Sequence, residues 1–337
     1  MAEPVEPRSL TVVIPVFNQA GEIGATLEAL DIALAATSFA AEVVVVDDGS
    51  TDGTAAVLRG LSPGVPLRVI EQENAGRFEA RRVGLERAQG KYCLLLDSRV
   101  RLDPSSLRFV ESRLGEGKEV WNGHVEIDRS CGPYAIFWDV ITRRAFWEYF
   151  GNPRTTSFGL QEFERFPKGT TCLFGPRARM AEAFDRFRSG YSDLRHANDD
   201  TPVLRYLAGV APINISPSFG CLYAPRTRLA PFLRHAFHRG TVFVDGHGRR
   251  ESAWFPIVIG LFVGSAACVP LARRSPRVLV AAASAASAAG AAISIAEGRP
   301  EDAPTMAWVT PLYAAAHVAG MWRGLALLAR NRLATPT

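Results

Sequence analysis

Cysteine is scarce: the five that occur, Cys93, Cys131, Cys172, Cys221 and Cys268, are widely spaced and form no C-x-x-C pair. Such spacing builds neither a disulfide framework nor a zinc knuckle, and it fits a reducing compartment. Lysine is absent from residues 253–337, where seven Arg face only Glu297, Glu301 and Asp302. The resulting +4 equals the formal charge of the whole chain, so everything before that tail is balanced. A balanced body excludes a protein held on nucleic acid by neutralising phosphates. The segment Met1 to Arg8 carries two Glu and two Pro where a signal peptide would place basic residues and an apolar core, so no export signal is expected there. No internal repeat is present. At 47% apolar and 21% charged the composition excludes disorder, and 337 residues exceed one typical domain of roughly 100 to 200 residues.

What is present comes first as a βαβ rhythm. Short apolar runs alternate with helical spacing, the pattern of a parallel sheet covered by helices. Leu10 to Val16 reads as a buried strand and Gly21 to Ala36 as a helix, with Ile23, Leu27, Leu30 and Leu34 on one face. Glu42 to Val46 is a second buried strand, ending at Asp47-Asp48. Two further pairs follow: Leu67 to Ile70 before a helix from Gly76 to Gln89, and Tyr92 to Leu96 running into Asp97 before a helix opened by Pro104. Val120 to Asp128 and Thr170 to Phe174 read as strands, while residues 129 to 169 give a weak pattern.

The tail changes character at Ala253. Trp254 to Ala272, Val278 to Ala296 and Ala303 to Trp322 contain no Asp, Glu, Lys or Arg. As helices of 1.5 Å rise per residue, each would reach about 30 Å, the thickness of a bilayer core. Upstream, residues 223–252 hold Arg226, Arg228, Arg234, Arg239, Arg249 and Arg250 against Asp245 and Glu251, a basic collar suited to an anionic membrane surface. The positive-inside bias favours an arrangement in which Trp254 to Ala272 dips into the membrane and returns. It leaves Arg273, Arg274 and Arg277 cytoplasmic and the loop Glu297 to Asp302 outside. His235, His238 and His247 lie in the collar at spacings that match no usual metal pattern and suit contacts with a membrane surface or an acceptor phosphate, while Trp138, Phe146, Trp147, Tyr149 and Phe150 either stack on an acceptor sugar or pack the core, with packing favoured.

Polar residues gather where such a sheet opens its ligand crevice, beyond the carboxyl ends of the strands. They are Pro15-Val16-Phe17-Asn18, the run Asp47-Asp48-Gly49-Ser50-Thr51-Asp52-Gly53-Thr54, the stretch Asn74 to Gly84, and Asp97-Ser98-Arg99. Each cluster alone is a turn; in consecutive βα units they converge. From Ser9 to about Gly220, and most specifically from Val13 to Asp97, the chain resembles a family 2 glycosyltransferase with the GT-A fold. The resemblance implies that Pro15, Phe17 and Asn18 line a base and ribose pocket. It also implies that Asp48 accepts from the base or a ribose hydroxyl, that Asn74, Gly76 and Arg81 lie near base and phosphate, and that Asp97 is the first acid of D-x-D. Asn198-Asp199-Asp200-Thr201-Pro202 resembles the family's acidic pair at a helix start, with Asp200 as the general base of an inverting transfer, a contribution of ~10² to 10⁴ in rate.

Arg99 departs from that pattern. The resemblance implies a divalent cation, Mg²⁺ or Mn²⁺, held on the diphosphate by Asp97 and a second acid, and Arg99 occupies the second acid's place. A guanidinium about 4 Å from a divalent ion is repelled by roughly 8 kcal/mol at an effective dielectric near 20. Either Arg99 takes over part of the cation's work on the leaving diphosphate, or it swings away and Asp97 binds metal alone. The expected architecture is an α/β GT-A domain over residues 1–222, a basic membrane-proximal segment over 223–252, and two or three membrane helices over 253–331. The expected activity is transfer of a sugar from a nucleotide sugar to a membrane-linked glycan or lipid on the cytoplasmic face of a multi-pass membrane protein. Two rivals stand beside it. A polyprenyl-phosphate glycosyltransferase has an acceptor that needs no base, and a nucleotide-sugar-binding scaffold binds donor without turnover.

Overall fold

The computed structural model describes residues 8–334 apart from positions 249, 251 and 253, with residues 332–334 by their backbone alone. The Met1 to Pro7 stretch, Arg249, Glu251 and the change of character at Ala253 therefore lie outside the described residues. In chain order the elements are β1 Ser9–Val16, α1 Ile23–Ala35, β2 Ala40–Asp47, α2 Thr54–Gly60, β3 Leu67–Glu71, α3 Arg77–Arg87, β4 Tyr92–Leu96, β5 Val100–Leu102 and α4 Ser106–Arg113. Then follow β6 Trp121–Ile127, α5 Pro133–Ala145, α6 Trp147–Phe150, β7 Thr156–Phe158, β8 Cys172–Pro176, α7 Arg177–Asp185, α8 Asp200–Val210 and β9 Ile213–Tyr223. The C-terminal helices are α9 Leu229–His247, α10 Phe255–Arg274, α11 Arg277–Ala296 and α12 Ala303–Ala334.

The chain divides into two compact units. The first comprises residues up to Glu126 with Glu148–Arg188 and Asp199–Ala224; the second comprises Ile127–Trp147, Ser189–Asn198 and everything from Pro225. Two stretches of the second unit, Ile127–Trp147 and Ser189–Asn198, come from within residues 1–222 and leave no mark in composition.

In the first unit, β1 and β2 are buried along most of their length, as the central strands of a parallel sheet must be. The sheet order is β3-β2-β1-β4-β8-β6-β9-β5, with β7 on β9. β1, β2, β3 and β4 run parallel, with Val13 opposite both Val44 and Leu95. β8 joins β4 antiparallel, which turns the second half of the sheet into a mixed one. Strand order reverses between β1 and β4, the point at which an open α/β sheet binds its ligand. α3 packs hard on that centre: a Cβ at Gly84 would stand 2.2 Å from Val13 Cγ1, so only glycine lets the helix approach.

The second unit is helical. α9 and α12 run in parallel and touch through glycine: a Cβ on Gly240 would meet the His317 carbonyl at 1.9 Å, and one on Gly320 the Phe237 carbonyl at 1.9 Å. Phe232 of α9 joins Tyr134, Phe137, Val140, Met306 and Val309 in one core. The collar's Arg234 and Arg239 lie on α9, a helix whose Phe232, Ala236, Gly240 and Val244 are buried at intervals of four. α10 and α11 are long and apolar enough to cross a membrane, with mean hydropathies of 2.1 and 1.9, and only 6% and 11% of those windows is buried. The third uncharged stretch differs from them. It forms most of α12, and its Met306, Val309 and Met321 are fully buried.

Candidate functional site

The loops at the carboxyl edge of the sheet are stitched together by short polar side chains. Asn18 takes a positive φ of 55°, accepts from the Thr51 N–H at 2.7 Å, and donates its own N–H to Ser50 Oγ at 2.9 Å. Asp47 accepts the Ser50 N–H at 2.9 Å, closing the turn after β2. Pro15 lies within β1 beside Val46, and Phe17 stands 45% exposed at the rim, as a residue waiting to cover a flat ligand would.

Asp48 has a structural duty that its motif does not advertise. Its carboxylate accepts from Gln72 Nε2 at 2.8 Å, the Ala75 N–H at 2.8 Å and the Gly76 N–H at 2.9 Å, so it fixes the β3–α3 loop. Asn74 Nδ2 returns to the Asp48 carbonyl at 3.0 Å. The close approach needs Gly49, whose Cβ would come 3.0 Å from the Asn74 nitrogen. Asp48, Asn74 and Gly76 are therefore brought together as expected, with Asp48 holding the loop rather than facing open space.

The centre of the site is a charge cluster built from both halves of the sheet domain. Arg81, on α3 and wholly buried, donates to Asp97 Oδ1 and to Asp199 Oδ2, each at 2.6 Å. Arg77, one turn earlier, donates to Asp199 Oδ1 at 2.9 Å and stands 3.6 Å from Asp200. Two guanidinium groups thus face three carboxylates. Asp199 is the innermost, 1% exposed, with both oxygens committed; Asp200 is more open at 35%. Neither acid caps α8 through its side chain. Thr170 donates its N–H at 3.2 Å, and its hydroxyl, to Asp200 Oδ1. Burial alone would raise the Asp200 carboxyl, but Arg77, then Arg81, then Thr170 outweigh it and hold it down to about 2. The Asp199 charge likewise pushes the Arg77 guanidinium upward, against burial.

The Arg99 guanidinium is engaged at the end of β9 and near the start of α1. Its Nη1 donates to the Ala224 carbonyl at 3.1 Å, at the end of β9, and stands 3.7 Å from Glu22 before α1. The guanidinium that sits on Asp97 is Arg81's. The donor set does not fit a divalent cation, because Asp97 Oδ1 and both oxygens of Asp199 already hold guanidinium nitrogens. Among the described residues no three His, Cys, Asp or Glu side chains are grouped to hold a metal ion.

A mixed sheet with its switch point at β1 and β4, and a ligand edge of the kind described, defines the GT-A class of α/β domain. Residues 11–171 match the family model "Glycosyl transferase family 2", and the chain carries a domain of that family. Over 115 residues it is 31% identical to the dodecaprenyl-phosphate galacturonate synthase of Rhizobium johnstonii, covering 33% of this chain and 34% of that protein. Over 114 residues it is 29% identical to the undecaprenyl-phosphate 4-deoxy-4-formamido-L-arabinose transferase of Pseudomonas paraeruginosa, again 33% and 34%. The match thus spans about a third of these curated relatives. Among solved structures, the mannosyltransferase PcManGT from Pyrobaculum calidifontis, in complex with GDP-Man and Mn²⁺, aligns with a TM-score of 0.53. At 20% identity, over 95% of this chain and 87% of that one, it shares the fold.

Proposed function

We propose that the protein is an inverting glycosyltransferase that moves a sugar from a nucleotide-sugar donor to a polyprenyl phosphate at a membrane. The observation that carries the acceptor class is the state of Asp200. A general base works best when its pKa lies near the working pH, and a carboxyl that Arg77, Arg81 and Thr170 hold well below its usual range is poorly matched to that work. An acceptor phosphate arrives already ionised and needs no proton removed. The curated relatives named above act on polyprenyl phosphates, which supports the same choice. In this reading Arg77 and Arg81 organise the acids around the diphosphate, the Asp48-braced loop shapes the nucleoside pocket, and Asp200 is a positioning residue for Arg77.

A hydroxyl acceptor on a lipid-linked glycan keeps one observation in its favour: Asp200 is open to solvent while Asp199 is not. Incubation with labelled nucleotide sugars and a short-chain polyprenyl phosphate, for the native protein and Asp200→Asn, separates the two. Transfer above a tenth of native in the variant supports the phosphate acceptor. A loss of a hundredfold or more restores Asp200 as the base. Donor binding without transfer to any acceptor would leave a scaffold.

A further inference from the structure

We infer that α10 and α11 are seated in one leaflet of the bilayer and that neither crosses it, with Arg273, Arg274 and Arg277 at the level of anionic headgroups. The inference owes nothing to the reaction; it follows from what lies beside α12. α9 carries Arg234, His235, His238 and Arg239 within two turns, a cationic stretch that keeps it out of hydrocarbon. α12 lies along α9 from Val309, in the core with Phe232, through the contacts of Gly320 with Phe237 and of Gly324 with Thr241. It must share the depth of α9. That removes Ala303 to Trp322 as a span.

α11 in turn lies along α12. A Cβ on Gly290 would meet Thr310 Oγ1 at 2.2 Å and the Met306 carbonyl at 2.6 Å, and Ile293 packs on the same core. The turn between α11 and α12 is fastened by charge. Asp302 accepts from Arg129 at 2.8 Å, Arg299 pairs with Asp139, Asp139 also takes Arg129 at 2.8 Å, and Glu297 lies 3.6 Å from Arg144. A turn so held to Arg129, Asp139 and Arg144 cannot be the exposed outer loop that a crossing α11 would require. This overturns the topology expected from the positive-inside bias, in which Glu297 to Asp302 lie outside. The same bias keeps the Arg tip on the near side, so α10 also begins and ends on one face.

α10 is anchored to α12 by Val258 in the core with Met321, by the rings of Phe262 and Trp322 at 5.0 Å, and by the Trp322 indole N–H donating to Ser265 Oγ at 3.0 Å. Outward it presents Ile257, Ile259, Leu261, Val263 and Val269, all exposed. An apolar layer of two 20-residue helices, rimmed by Trp308 and Trp322 and tipped by arginine, is chemically matched to a lipid leaflet and to no aqueous surface.

The test uses the full chain in sealed membrane vesicles of both orientations, with Ser252→Cys, Ser275→Cys and Glu301→Cys probed separately by an impermeant maleimide and read by peptide mapping. All three are expected to label from the same face. Labelling of 252 and 275 from opposite faces would show that α10 crosses, and of 275 and 301 that α11 does; either overturns the inference. No labelling at 275 in either orientation would put the tip in hydrocarbon and overturn it too. Without any substitution, the native chain is expected to stay with membranes through a carbonate wash, and its release would end the leaflet reading. Replacing the three tip arginines by Gln is expected to weaken partitioning onto anionic vesicles by about a hundredfold, at around 1 kcal/mol per residue. Unchanged partitioning would remove the headgroup contact.

Discussion

Arg81→Met isolates the charge cluster from every other feature of the site. The methionine fills the stem volume of a side chain that is wholly buried, so little of its effect is a cavity. What is lost is the cation 2.6 Å from both Asp97 and Asp199 and 3.7 Å from Asp200. Asp199, at 1% exposure, keeps only Arg77, and a buried ion pair broken from one side typically costs about 3 to 5 kcal/mol. That is a large part of the roughly 5 to 15 kcal/mol that holds a domain folded. Urea titration of the detergent-solubilised protein, followed by tryptophan fluorescence, reads the cost. Arg81→Lys is expected to recover little, because one ammonium cannot reproduce a forked contact with two acids. The double variant Arg81→Met with Asp199→Leu is expected to regain a large share, since it removes the stranded charge along with its partner. A cost below about 1 kcal/mol for Arg81→Met, or no recovery in the double variant, would refute the view that the pair is dry and mutually dependent.

Four further outcomes are expected. Asp48→Ala strands three loop donors, so nucleotide affinity by calorimetry should fall tenfold or more; unaltered affinity would detach the β3–α3 loop from the pocket. Asp200 and Asp193 are both held down to about 2 from 3.8, so their stabilisation is complete above pH 4, fades as pH drops toward 2, and should appear as acid unfolding in that window. A midpoint above pH 5 would assign acid lability to other groups. Arg99→Ala loses the bond to the Ala224 carbonyl and should cost about 0.5 to 1.5 kcal/mol of stability while leaving kcat within threefold; a hundredfold fall in kcat would put its guanidinium on the diphosphate after all. Gly84→Ala drives a Cβ to 2.2 Å from Val13 Cγ1 and should destabilise by about 1 to 3 kcal/mol, read by the same urea titration.

The sheet domain was legible where one physical rule dominates. Buried parallel strands must be continuous apolar runs, so β1, β2 and β4 stood out within a residue or two of their ends. β5 was missed because it is only three residues long, and β9 because polar Asn214, Ser216 and Ser218 interrupt its apolar run, although Asn214 and Ser216 are buried in the fold. Residues 129 to 169 gave little because α5 buries Tyr134 and Phe137 against α9 and α12, partners that lie far along the chain. The uncharged stretches in the tail were read by length alone, and length does not distinguish a helix packed on lipid from one packed on protein; α12 packs on protein along one face, at Met306, Val309 and Met321. At the site, the acids were found by motif but their partner was not. Proximity in sequence pointed to Arg99 as the cation beside Asp97, whereas the fold puts Arg81 there, sixteen residues away, because α3 packs closely on β1. One signal for it was present: Arg77 and Arg81 are spaced four apart on a helix whose start faces the ligand edge, so both must point the same way. A buried arginine on such a face demands acids, and the motifs had already brought Asp97, Asp199 and Asp200 to that edge.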